Sequence, residues 1–152
     1  MKILLPVSSK EIDSIVLKWI RDVAQKLNAQ VDVLNVQYSY ETFTLAYPTY
    51  PEFVYMTDKP DETHDKKALE NAKNIAGSIC DMIKAKAGSG IKTKCLGELG
   101  EPAGVIINMA EEGKYDLVVL RDRDRTDVGR FFLGSITDKV VHHCKTAVLV
   151  LK

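Results

Sequence analysis

A chain of 152 residues makes one ordinary domain and leaves no room for two independent cores. Apolar residues are 45% and charged residues 28%, the mix of a soluble globular protein rather than a disordered or fibrous one. Lys plus Arg and Asp plus Glu both number 21, so there is no global electrostatic footprint for nucleic acid or an anionic membrane.

The opening Met1-Lys2-Ile3-Leu4-Leu5 resembles a signal peptide only until Pro6 and the polar Ser8-Ser9-Lys10-Glu11 interrupt it, which reads as a mature cytoplasmic N-terminus. Ile3 to Val7 is a short apolar run suited to a strand buried on both faces. Ile12, Ile15, Val16, Trp19, Ile20, Val23, Ala24 and Leu27 then recur at helical spacing. Ser8 and Glu11 stand at capping-box spacing before this helix, and Asn28 lies near its end. Val31 to Val36 predicts a second strand. Tyr38 to Asp61 is too long for an ordinary connection. Within it Tyr38, Tyr40, Phe43, Tyr47, Tyr50, Phe53 and Tyr55 form an aromatic cluster, read as a protein-binding segment or a lid over residues 38–55 rather than a base-stacking platform.

Ala68, Ala72, Ile75, Ala76, Ile79, Met82 and Ile83 mark one face of a second long helix that stops before Gly88. Ile91 to Leu96 predicts a weaker strand, with Lys92 and Lys94 as an edge tolerates. Pro102 opens a helix through about Glu112, ended by Gly113. Leu117 to Leu120 is another buried strand. Gly134-Ser135 starts a last helix to about His143, with Asp138 placed for a second capping box, and Ala147 to Leu151 closes the chain as a strand. This strict alternation predicts a single α/β domain over residues 1–152, an open five-stranded parallel sheet with helices on both faces.

Cys80, Cys95 and Cys144 are odd in number and contain no C-x-x-C pair, so each is expected to be a small hydrophobe in a reducing cytosol, without disulfide or zinc. His142, His143 and Cys144 follow one another on a helix, where neighbouring side chains diverge by about 100°, so no metal site is expected. The run Arg121-Asp122-Arg123-Asp124-Arg125 reads as a docking surface or as a solvated loop of self-compensating ion pairs. No G-x-S-x-G, H-E-x-x-H or P-loop motif occurs, which leaves catalysis without a carrier.

Ligands of an open parallel sheet gather beyond the carboxyl ends of its strands. That places candidates at Ser8 and Ser9 after the first strand, at Val36 and Gln37 after the second, and from Arg121 onward after the fourth. Gly134-Ser135-Ile136-Thr137, with free N–H groups and two hydroxyls, reads as an anion seat at a helix start or as a tight entry from loop to helix. The simpler role of Ser8 and Ser9 is to cap the helix that follows.

Arg130-Phe131-Phe132-Leu133-Gly134-Ser135-Ile136-Thr137-Asp138-Lys139-Val140-Val141, followed by Val148-Leu149-Val150, resembles the C-terminal signature of the universal stress protein family. Ile3 to Val7, Gly100-Glu101-Pro102 and Tyr115 to Val119 agree with it, so the resemblance covers essentially the whole chain. It implies a Rossmann-like domain of the adenine nucleotide alpha hydrolase-like kind, usually a homodimer, concerned with stress resistance and signalling. Many members bind ATP through G-x2-G-x9-G-[S/T]. The two earlier glycines fall on Arg121 and Asp124 here, and Ser8 stands where ATP-binding members commonly carry Asp. Long side chains at such glycines fill the space a phosphate needs.

The expectation is a non-enzymatic, homodimeric regulatory or binding module with a degenerate nucleotide site, free of nucleic acid and membrane partners. Its dimer forms through strand 147–151. The alternative is an ATP- or AMP-binding member with at most slow hydrolysis, its loop rebuilt around arginines. If a nucleotide binds, ATP is the cofactor, and its pocket consists of Pro6, Val7, Ser8, Val36, Arg121, Asp124, Gly134, Ser135, Ile136 and Thr137.

Overall fold

Ile3, Leu4 and Leu5 are fully buried in the central strand, β1 (Lys2–Pro6), of a computed structural model that describes residues 1–39, 41, 62–88, 90–122 and 133–152. On one side β1 pairs with β2 (Gln30–Gln37), which pairs with β3 (Lys92–Leu99). On the other it pairs with β4 (Leu117–Arg121), which pairs with β5 (Ala147–Leu151). Every pairing is parallel and the order is β3-β2-β1-β4-β5, the five-stranded open sheet expected from the alternation. The sheet grows in one direction from β1 through β2 and in the other through β4, so a crevice opens between the carboxyl ends of β1 and β4.

Period-two alternation divides the core into two layers. Ile3 and Leu5 point to one face, where they pack with Val31, Val33, Val16 and Ile20 and with Ala76, Ile79 and Ile83 of α2 (Glu62–Ala87). Leu4 points to the other and meets Leu34, Val118 and Leu120. That second layer is closed by Ala103, Ile106 and Ala110 of α3 (Pro102–Glu112) and Val140 of α4 (Ser135–His143). Each fully buried Leu or Ile side chain contributes about 1.5–3 kcal/mol through its removal from water.

Several local expectations need correction. The first helix, α1 (Ser14–Trp19), begins well after Ser8, and its N-cap is Asp13, whose Oδ1 accepts the Ile15 N–H at 2.9 Å. Ser9 and Glu11 satisfy each other within the preceding turn, so Ser8 and Glu11 form no capping box. From Ile20 to Ala24 the helix widens to π form, with Gln25 N–H donating to Ile20 O at 2.9 Å. The wider turn shifts the apolar face, and Leu27, read as part of it, is 53% exposed. Asn28 ends the segment at φ 49°, a left-handed conformation that Asn tolerates.

The strand predicted to end at Leu96 continues to Leu99. Ser135 is the first residue inside α4 and Gly134 its cap, with no side-chain bond, so Ser135 and Asp138 form no capping box. The cap of α3 is Glu101, whose Oε2 accepts the Gly104 N–H at 2.7 Å.

The cysteine reading is also corrected, because Cys80 on α2 and Cys95 on β3 form a disulfide and Cys144 alone is free. The helix lies close on this strand. A Cβ on Gly97 would stand 2.6 Å from the Lys73 backbone nitrogen, a separation that only glycine avoids. Sequence spacing carries no signal of that approach, and the cysteines no longer argue for a reducing compartment. Apart from Tyr38, the aromatic cluster of residues 38–55 lies outside the described residues. Among the described residues no helix is long and apolar enough to cross a membrane.

Candidate functional site

The crevice between β1 and β4 holds a cavity of about 520 Å³. Its floor is apolar, from Leu5, Leu34, Val36, Ile106 and Leu120. Its near wall is the exit of β1, fixed to β2 by Val7 N–H donating to Leu34 O at 2.8 Å. Asn35, 1% exposed, donates from Nδ2 to Val7 O at 2.7 Å and accepts from Gln37 Nε2 at 2.8 Å. A buried amide at the end of β2 thus sets the path of Pro6, Val7 and Ser8.

Two charged groups of the wall, Arg121 and Asp13, are bound to each other. Arg121, the last residue of β4, donates from Nε to Asp13 Oδ2 at 3.0 Å, with both side chains about four-fifths buried. Its Nη1 donates to Leu151 O at 3.1 Å and to the neighbouring Asp122 carbonyl. The guanidinium therefore bridges the N-cap of α1 and the last residue of β5. Asp122 is 8% exposed, and its Oδ1 accepts the Gly134 N–H at 3.4 Å, which puts a carboxylate against the start of α4. A helix start carries partial positive charge, so this placement is favourable.

Glu101 ties the far wall together, capping α3 and meeting Lys139 Nζ of α4 at 3.2 Å. Burial pushes its carboxyl pKa up, but N–H bonds from Gly104 and Ala103 and the Lys139 ammonium outweigh this and hold it below the usual range.

Pro6, Val7, Ser8, Val36, Arg121, Gly134, Ser135, Ile136 and Thr137 all line the one cavity, and Asp124 lies outside the described residues. The sequence reading missed Glu11, Asp13 and Asp122, which line it too, and Asn35, which shapes it. Asp13 was legible as the Asp before Ser14-Ile15, an N-cap signature overshadowed by the capping-box spacing at Ser8. Asp122 reads in the sequence as one member of the alternating Arg-Asp run, a docking surface or a solvated loop, with nothing to mark it as a cavity residue. Among the described residues no group of three or more His, Cys, Asp or Glu side chains is arranged to hold a metal ion.

The model of the universal stress protein family matches residues 1–152. The chain belongs to that family. A universal stress protein of Synechocystis sp. is 27% identical over 152 residues, 99% of this chain and 97% of its own length. Among solved structures, a universal stress protein in complex with cAMP superposes with a TM-score of 0.61 at 18% identity, over 99% of this chain and 95% of that one. A universal stress protein from Archaeoglobus fulgidus in complex with dAMP gives 0.55 at 20%, over 100% and 98%. At such identities the structural likeness concerns the fold, which is the Rossmann-like α/β fold of universal stress proteins.

Proposed function

We propose that this universal stress protein is a non-enzymatic, homodimeric regulatory module of the stress response whose cavity is degenerate toward ATP. One observation carries the reading. At a position where the family's ATP motif has glycine, the Arg121 side chain occupies the cavity wall, and its charge is spent on Asp13 and Leu151 O rather than on a phosphate. Calorimetric titration tests it. ATP with magnesium is expected to bind more weakly than about 100 μM, a binding free energy below about 5.5 kcal/mol. Low-micromolar binding removes the reading.

The dimer is supported by the edge position of β5, an apolar strand with no charge before Lys152. A two-fold axis would continue the sheet through an isologous β5 pair. A protein partner at residues 38–55 and a cytoplasmic location belong to the same proposal, and cell fractionation checks the latter.

The alternative, an ATP- or AMP-binding member with slow hydrolysis, has one observation in its favour. The cavity retains the Ser135 and Thr137 hydroxyls at a helix start. Its relatives crystallised with cAMP and dAMP make the comparison pertinent. Nucleotide released from freshly purified protein would favour it.

A further inference from the structure

The first turn of a helix draws anions, and in this cavity the anion is the chain's own. The Asp122 carboxylate lies against the Gly134 N–H at the start of α4 and is 8% exposed, so bulk water screens it little. A phosphoryl group brought to the same helix start would meet that carboxylate at close range. Arg121, the one cation among the described lining residues, is already paired with Asp13. Among the described lining residues Glu11, Asp13 and Asp122 stand against Arg121 alone, an excess of negative charge on the described part of the wall. The floor is apolar and the volume of about 520 Å³ admits a ring-bearing molecule of nucleoside size.

We propose that Asp122 determines the ligand class of this cavity, excluding phosphorylated ligands and admitting an uncharged or cationic molecule of nucleoside size. The proposal rests on the reading of the cavity as a ligand site degenerate toward ATP and adds what it takes instead. Asp122 discriminates through repulsion as much as through attraction, since a like charge at a few ångströms inside a partly dry wall costs far more than it does in water.

The test holds the nucleoside constant and varies its charge. 5′-Amino-5′-deoxyadenosine (cationic), adenosine (neutral) and AMP (anionic) are titrated calorimetrically into the wild-type chain and into Asp122→Asn at low ionic strength. The wild type is expected to bind them in that order of decreasing affinity, with about tenfold or more between the amine and AMP. Asp122→Asn should narrow that ratio about tenfold, mainly by strengthening AMP, with little change for adenosine.

Three results overturn the proposal: AMP binding the wild type at least as tightly as adenosine, none of the three binding at millimolar concentration, or an unchanged ratio in Asp122→Asn that circular dichroism shows to be folded. Should that variant not fold, the wild-type series at low and high salt decides. The preference for the amine must shrink as salt rises, and a salt-independent order overturns the proposal. Tight ATP binding would remove the degenerate-site reading itself, whereas weak ATP with AMP tighter than adenosine removes only the role of Asp122.

Discussion

Asp13 does two jobs with one carboxylate. Oδ1 caps α1 and Oδ2 holds Arg121. Asp13→Ala should cost about 2 kcal/mol in urea denaturation, of which about 1 is the cap and the rest the partly buried guanidinium left without its carboxylate. Asp13→Asn keeps an oxygen for the cap and should recover about half. Equal losses in both variants would mean the ion pair alone matters.

Glu101 gives a pH dependence with a definite sign. Its folded pKa is lowered, so as pH falls the unfolded chain takes up the proton first, and the carboxylate's stabilisation is complete only above the unfolded value of about 4.3. The difference in Tm between wild type and Glu101→Gln should be constant from pH 7 to about pH 5 and vanish as pH falls further, through the folded value. A difference that persists undiminished at pH 3 would contradict this. At this scale the sequence was least legible. Ser8 and Asp13 both offer an oxygen ahead of an apolar helix, and only the tertiary path of the chain decides which one caps it.

The elements themselves were largely legible, because strands buried on both faces are apolar runs and helices repeat at their own period. Lys92 and Lys94 marked β3 as an edge, and the sheet order places it there. What the pattern could not convey is how closely elements approach. The contact of α2 with β3 through Gly97, and the disulfide beside it, depend on the separation of two backbones.

The two edges also differ in chemistry. β3 exposes both lysines, while β5 presents Val148, Leu149, Val150 and Leu151 half-buried. If β5 pairs with its copy, Leu149→Lys places charge in an apolar seam, and proline at Val148 or Val150 removes a ladder donor. Sedimentation should then find monomer or aggregate in place of dimer. A wild-type chain that is monomeric at about 100 μM, or dimers that survive all three changes, would remove the β5 interface.

Across the whole molecule the sheet separates two apolar layers that share few side chains. Ile79 lies in the layer under α1 and α2, and Ile106 in the layer under α3. Ile79→Ala and Ile106→Ala should each cost about 3 kcal/mol. Because the side chains share no partner, the double variant should lose the sum to within about 0.5 kcal/mol. A much larger or smaller combined loss would show that the sheet transmits strain between its faces.

That division has an optical consequence. The chain's single tryptophan, Trp19, is half-buried against the layer formed by α1, α2 and the sheet. Indole emission therefore watches one half of the protein and is blind to the half that carries α3 and α4. A chain that melts as one unit will give superimposable fluorescence and far-ultraviolet dichroism curves. If the α3–α4 side loosens first, dichroism will begin to fall while the tryptophan spectrum stays native, and the gap between the curves will measure how far one side unfolds without the other.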